Sequence, residues 1–459
     1  KAISTGSIRA GERLPSVRQM AERSGYSVAT VQRAYEILEA EGVCYAKPRS
    51  GYFYSGRAWR PHSDWPVELD DAAQEPKFIR TESEKLLVKW HQSSPKIFET
   101  FLPNRDLFLT EPLDKLFRRA IRQGHRDNET VGMSSSEPAL LVELAKRAAQ
   151  RNIFVRPSEI IVTRSGTAAL NLCISVFARP GDIILVESPS YFHSLASLRR
   201  RELQAIELYS HPTEGLDPDQ FEYLLAKHDV KVCILCVTNR YPTGVSYSRD
   251  VVRSLVRSAQ KHNAIIIEND TFGELSYKGD SITLKEFDDT GNVITFSSFT
   301  NTISPQYGLG YVISGRFTEE LLAVQYSTGM QGSDRWMQKA IAGYLSSFSH
   351  DRQLRRIRTA LEQRMSRGLD TLKANLSKDC VLSEPSGGYM CWLRAPKSYD
   401  AARVIDGDAK FAAGMCLPGG LFSITEAYAN YVAFNFSAAW TEANLAALGT
   451  TASGISASP

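Results

Sequence analysis

The 459-residue chain contains no apolar run long enough to cross a bilayer or to serve as a secretory signal, so a cytoplasmic protein with no membrane partner is expected. Cysteine is scarce: Cys44, Cys173, Cys233, Cys236, Cys380, Cys391 and Cys416 are odd in number, scattered, and mostly set in apolar segments. That pattern excludes a disulfide framework and predicts buried, reduced thiols. Cys233 and Cys236 have C-x-x-C spacing, but they lie in the apolar run VCILCV with no second Cys/His pair beside them. A buried strand is expected there, and no metal site. Neither sign of charge dominates, since 54 Lys and Arg meet 51 Asp and Glu.

The small excess of +3 is unevenly placed. Residues 1–57 hold nine Lys/Arg and five Glu, which leaves 45 against 46 for the remainder. A basic head on a neutral body is the asymmetry expected of a chain that meets a polyanion at one end. Hydrophobic content of 43% is that of a globular protein, and the length calls for at least two domains.

From Leu14 to Gly42 the pattern predicts two amphipathic helices, SVRQMAERSG and SVATVQRAYEILEAEG, with Gly25 at the turn and Ser27 as N-cap. Val17, Met20 and Ala21 on the first and Val31, Tyr35 and Leu38 on the second recur at helical spacing and form a shared core. VCYAK and YFYS, joined by PRSG, predict a hairpin carrying Lys47 and Arg49 at its tip. The segment GERLPSVRQMAERSGYSVATVQRAYEILEAEG with KPRSGYF resembles the winged helix-turn-helix heads of the GntR family. The resemblance implies that Arg18, Ser27, Thr30, Gln32 and Arg33 face DNA, with Lys47, Arg49 and Gly51 on the wing. Small hydroxyls at a helix N-terminus beside a guanidinium suit phosphate and base-edge contacts. Val28 and Ala29 stand where the family often has polar residues, so the base preference is left open. Such heads begin with another helix, of which KAISTGSI supplies only the tail, and a segment ahead of Lys1 is therefore expected.

Residues 58–97 have little periodicity and are expected to form a linker. From residue 98 the apolar runs EIIVT, DIILVE, VCILCV, AIIIEND, VITFSSF and LGYVISG alternate with helical stretches. This predicts an α/β domain built on a mostly parallel sheet. A smaller α/β portion, from about residue 350 to 459, contains GGYMCWL and YVAFNFS.

TRSGTAALNL, ESPSYF, NRYPTG, IIENDTFGEL, SSFTNTISPQYGLGY, SGGYMCWL and PGGLFS resemble, in order, the motif series of fold-type I, pyridoxal-phosphate-dependent aminotransferases. Head and body together are similar to the MocR group of GntR regulators. The resemblance implies a homodimer whose two heads read a two-half-site operator.

The departures from that family carry the functional expectation. In its S-F-S-K-T motif the lysine makes the Schiff base, whereas this chain has Ser298, Phe299, Thr300, Asn301 and Thr302. An amide nitrogen cannot form an imine. In E-D-D-x-Y the first aspartate pairs with the pyridine nitrogen and the tyrosine meets the phenolic oxygen; their places fall to Asn269 and Phe272. The phosphate-gripping arginine of L-R-L-G-Y corresponds to Gly308, and the carboxylate-binding arginine of R-L-N-F to Ala433. Ser165, Gly166 and Thr167 at a helix N-terminus survive, as do Tyr191 in the ring-stacking position, Tyr241, Ser298 and Thr300. Two lost charge-assisted contacts, at roughly 1.5–3 kcal/mol each, weaken cofactor affinity by on the order of 10² to 10⁴.

The expected protein is a DNA-binding regulator whose body is a catalytically dead effector-sensing or dimerisation domain, without catalytic residues and without bound pyridoxal phosphate. Two alternatives stay open: a regulator that binds pyridoxal phosphate non-covalently, and an aminotransferase using a displaced lysine, with Lys278 and Lys285 the nearest in sequence.

Overall fold

The computed structural model describes residues 12–24, 26–40, 44–47, 51–54, 75–79, 101–126, 136–212, 215–329, 332–347, 349–404, 416–425 and 427–457. The chain divides into two compact units, with the boundary between Pro66 and Val67.

In the first unit, α1 (Val17–Ser24) and α2 (Val28–Ala40) are followed by β1 (Cys44–Lys47) and β2 (Gly51–Tyr54). The two strands pair antiparallel, Lys47 opposite Gly51 and Cys44 opposite Tyr54. Arg13 bridges to Phe53 and adds a third edge. A small core of Leu14, Ala21, Val31, Tyr35, Cys44 and Tyr54 is completed by the partly buried Val17, Met20, Leu38 and Tyr52. Every position assigned to the shared helical core belongs to it. Within this core the Tyr35 hydroxyl donates to the Pro15 carbonyl at 2.7 Å.

The second unit is built on a nine-stranded sheet. Its strands are β3 (Lys77–Phe78), β4 (Ile160–Thr163), β5 (Ile183–Ser188), β6 (Gln204–His211), β7 (Gly215–Leu216), β8 (Val230–Leu235), β9 (Ile265–Asn269), β10 (Val293–Ser298) and β11 (Gly310–Ile313). They run in the order β3-β6-β5-β8-β9-β10-β11-β4, with β7 on β6. The five strands β6 to β10 in that order pair in parallel. Strands covered on both faces are expected to be continuously apolar, and IIVT of β4 and VITFSS of β10 are buried at every residue. The helix α3 (Gly166–Phe177) is apolar nearly all round. It packs on the sheet beside the helix Thr318–Thr328, which touches both α3 and β4, and Leu170 and Leu172 are wholly buried. Truncating either to alanine costs about 2–5 kcal/mol.

A second, four-stranded antiparallel sheet orders β12 (Val381–Leu382), β13 (Met390–Arg394), β14 (Cys416–Pro418) and β15 (Tyr431–Asn435) as β12-β13-β15-β14. The 27-residue helix α4 (Ser349–Asn375) and the helix Glu442–Ser456 pack with it. The stretch expected to be a linker contains β3, whose Lys77 and Phe78 pair with Ala205 and Gln204 at the sheet edge. All seven cysteines are free, and Cys233 and Cys236 are buried, the first within β8 and the second just beyond it. No helix among the described residues is long and apolar enough to cross a membrane.

Candidate functional site

Ser27 starts the second helix of the head. Its hydroxyl accepts from the Thr30 amide at 3.1 Å and shares a 2.7 Å hydrogen bond with the Thr30 hydroxyl, so the Ser27 hydroxyl expected to meet DNA also caps α2. Val28, the first helical residue, is 53% exposed, and Tyr26 before it is 67% exposed. Arg18 is exposed on α1. Arg33 lies on the open surface with one nitrogen on Glu36 at 3.2 Å. Gln32 reaches Glu36 and the Tyr52 hydroxyl, each at 3.4 Å, which ties the helix to the wing.

On the wing, the Lys47 ammonium lies 5.6 Å from the Tyr45 ring centre and 4.7 Å from that of Phe53. Two π faces hold the cation at the strand end. Gly51 has φ +95°, a left-handed conformation that favours glycine, and the Arg13 guanidinium lies beside it. Sequence reasoning missed Arg13, because only the pairing of Arg13 with Phe53 brings it there. Arg49 falls outside the described residues.

In the body, loops leaving the carboxyl ends of β4, β5, β8, β9 and β10 converge on one cavity of about 280 Å³, the place where open α/β sheets bind ligands. Ten of the twelve residues assigned to the degenerate site line it: Ser165, Gly166, Thr167, Tyr191, Tyr241, Phe272, Ser298, Thr300, Asn301 and Gly308. Ser165 caps α3, accepting from the Ala168 amide at 3.1 Å. Gly310 brings β11 against that turn, where any Cβ would collide with the Ser165 carbonyl and come within 2.8 Å of the Gly166 nitrogen.

Asn269 and Ala433 do not line the cavity, and this corrects their assignment to it. The Asn269 side-chain oxygen is turned onto its own loop, accepting from the Thr271 amide at 3.1 Å and hydroxyl at 2.7 Å. Ala433 sits fully buried in the middle of its sheet, between Trp392 and Leu417. The neighbouring carboxylate of Asp270 also points away, held by Arg151 through two hydrogen bonds, one of 2.8 Å. Burial opposes the charge on Arg151, but Asp270 outweighs it and keeps the guanidinium above its ordinary range.

Asn301 is fixed at both ends. Its amide nitrogen donates to the Thr271 carbonyl at 3.1 Å, and its oxygen lies 3.2 Å from the Tyr389 hydroxyl, whose one proton it shares with the Phe101 carbonyl at 3.1 Å. Tyr389, together with Phe101, Leu102, His193, Thr271, Phe296 and Pro305, lines the cavity without having been singled out from the sequence. Tyr389 lies inside the motif SGGYMCWL, whereas nothing local distinguishes Phe101. The lining contains no lysine, arginine, aspartate or glutamate among the described residues. Its one imidazole, His193, is pushed down to about 4 by burial and is uncharged at neutral pH. Lys285, one of the two nearby lysines, is instead engaged with Asp288 at 2.9 Å and the Val293 carbonyl at 2.6 Å; neither it nor Lys278 lines the cavity.

Comparison with known proteins agrees with this architecture. Residues 106–429 match the model of the aminotransferase class I and II family, and residues 1–53 that of the bacterial regulatory proteins of the gntR family. The uncharacterized HTH-type transcriptional regulator YdcR of Escherichia coli is 29% identical over 96% of this chain and 93% of its own length. The HTH-type transcriptional regulator NorG of Staphylococcus aureus is 24% identical over 83% and 86%. Among solved structures, kynurenine aminotransferase of Pyrococcus horikoshii, determined with PMP, superposes with a TM-score of 0.73 at 23% identity, covering 84% of this chain and 96% of that one. LysN of Thermus thermophilus gives 0.72 at 20% identity over 82% and 96%. At these identities the structural likeness shows the fold, whose enzymes use pyridoxal phosphate. With a body that matches over most of the chain, the protein belongs to the class I and II aminotransferase family, and its N-terminal head matches the gntR family of bacterial regulatory proteins.

Proposed function

We propose that residues 1–57 bind a double-stranded DNA operator, and that residues 98–459 form a homodimeric, catalytically inactive effector domain that does not carry pyridoxal phosphate. The observation that supports the second part is the cavity lining, which among the described residues offers no amine, carboxylate or guanidinium. A Schiff base needs a nucleophilic amine, and Asn301 offers an amide already donating to a backbone carbonyl. The group the fold family uses therefore does not fit the residues present, and no covalent step is assigned to this site.

For the head, exposed Arg18, Ser27, Thr30 and Arg33, with Gln32 beside them, support docking of α2 in a major groove while Lys47 and Gly51 approach the backbone or minor groove. In a dimer the two heads would read half-sites one or more helical turns apart.

The test is binding of the full chain to its own promoter region and to random duplex at moderate salt, by fluorescence anisotropy, with light scattering at micromolar concentration. The expected result is a dimer that prefers the promoter by at least about 10³. Equal binding to both duplexes overturns the operator assignment, and a monomer overturns the dimeric body.

A further inference from the structure

The cavity has a composition of its own, beyond what it lacks. Tyr191, Tyr241, Phe272 and Tyr389 form a run of rings whose neighbouring centroids lie 5.4, 5.6 and 5.3 Å apart. Much of the remaining lining is small, including Gly166, Thr167, Thr271, Ser298, Thr300 and Gly308. Tyr241 is 3% exposed, and its hydroxyl has no hydrogen-bond partner. Burial raises that phenol far above its ordinary range, so it stays protonated and is a donor. A buried donor left unpaired is costly unless something in the cavity accepts from it.

At the same cavity, α3 has two first-turn N–H groups, those of Gly166 and Thr167, that its cap leaves unbonded, because Ser165 takes the amides of Ala168 and Ala169. The site is therefore rich in donors and aromatic faces. The described lining provides no counter-ion, so an anion would have only the α3 N–H groups and the Tyr241 hydroxyl to replace its hydration, whereas a neutral acceptor has little hydration to lose. A cation would gain the ring faces but would meet the positive end of α3.

Resting on the reading of the body as a non-catalytic effector domain, we propose that this cavity binds a planar, uncharged aromatic carbonyl compound. Its ring lies against Tyr191, and its carbonyl oxygen accepts from the Tyr241 hydroxyl. Ring against ring supplies the area, while Tyr241 fixes the orientation.

Three probes that share one ring and differ in charge test this: indole-3-carboxamide, indole-3-carboxylate and indol-3-ylmethylamine, titrated calorimetrically into the full-length protein, with unsubstituted indole as the reference. The carboxamide is expected to bind at least tenfold tighter than either ion. Tyr241→Phe, which removes one oxygen from a buried ring, is expected to weaken the carboxamide five- to twentyfold and to leave indole within twofold. Tighter binding of the carboxylate, of inorganic phosphate or of pyridoxal phosphate overturns the proposal. So does equal weakening of carboxamide and indole in Tyr241→Phe, or no saturable carboxamide binding up to millimolar concentration. Failure of the underlying reading is separate: it would appear as a borohydride-reducible pyridoxal phosphate adduct on a lysine.

Discussion

The two units stand in opposite relations to the families they resemble. In the head, the side chains that the resemblance aims at DNA are present and sit at the surface, Arg33 with 76% of its side chain exposed and the Ser27 and Thr30 hydroxyls at the open end of α2. In the body, the cavity keeps the Ser165 cap and the close approach of Gly310, while its lining holds no lysine, arginine, aspartate or glutamate among the described residues. Shape and chemistry are thus separable. A loop is held by caps, strand ends and glycines, and those can stay in place when the side chains that meet a ligand are exchanged for neutral ones.

The sharpest way to break this contrast is to look for chemistry in the body. With Asn301 hydrogen-bonded on both sides and no lysine in the lining, the protein incubated with pyridoxal phosphate is expected to show no aldimine absorbance and no transamination above buffer. Asn301→Lys alone is expected to give at most a weak imine without turnover, since position 308 still lacks a guanidinium and the described lining a carboxylate. A reducible adduct mapped to one lysine of the unmodified protein would show that the contrast is false.

A smaller effect asks whether the charges that remain in the body serve the scaffold. Arg151 and Asp270 form a buried pair beside the cavity but directed away from it. Arg151→Ala leaves the carboxylate buried and unpaired, which costs about 3–5 kcal/mol. Chemical denaturation of the body should register that loss. Unchanged stability would indicate that Asp270 is free to act elsewhere.

Buried acids also make the body's stability depend on pH. Glu207 accepts from Ser188 at 3.1 Å, Ser423 at 2.7 Å and the Ile424 amide at 3.2 Å, and burial pushes it up to about 7. Its folded pKa lies above its unfolded value of 4.5. Its contribution is therefore complete below pH 4.5 and is lost as pH rises through 7, by about 3 kcal/mol in all. Burial, then the nearby Asp270, places Glu268 at about 7 with the same sign. His193 and His350, both lowered to about 4 by burial, act in the opposite sense between pH 4 and 6.5. The two histidines and the two acids therefore oppose one another between about pH 4.5 and 6.5. Glu207→Gln should gain on the wild type as pH rises from 5 to 8; a constant offset between the two would remove Glu207 as a titrating group.

How much of this was legible in the sequence follows from where each signal resides. The head is local: turn, caps and core fall within residues 14–54, and every core position assigned from helical spacing is in its cluster. The body's named apolar runs all became strands, because burial on both faces leaves few polar residues in them. β6 was missed. Its segment QAIELYSH contains Glu207 and Ser210, which are buried only because Ser188, Ser423 and Tyr247, distant in sequence, bond to them. β3 is two residues long in an aperiodic stretch, too short to leave a pattern. In the cavity, the motifs located the loops correctly but not the direction of each side chain, and Asn269 turned onto Thr271 is the clearest example.

The smallest predicted effects separate reading DNA from building the head. Arg33→Ala removes an exposed guanidinium that makes one ion pair, with Glu36 on the next helical turn. Such surface pairs contribute roughly 0–1 kcal/mol, so the head should fold unchanged while operator affinity falls by about 1–3 kcal/mol. Ser27→Ala removes the hydroxyl that caps α2 through Thr30, at a cost of about 0.5–2 kcal/mol in stability. Its effect on DNA should be smaller than that of Arg33→Ala and partly restored by Ser27→Asp, which caps equally well but places a carboxylate near phosphate. If Ser27→Asp recovers stability and not affinity, Ser27 serves both roles. If it recovers both, the hydroxyl only builds the helix, and the contrast between a head that keeps its chemistry and a body that keeps only its shape narrows to the arginines.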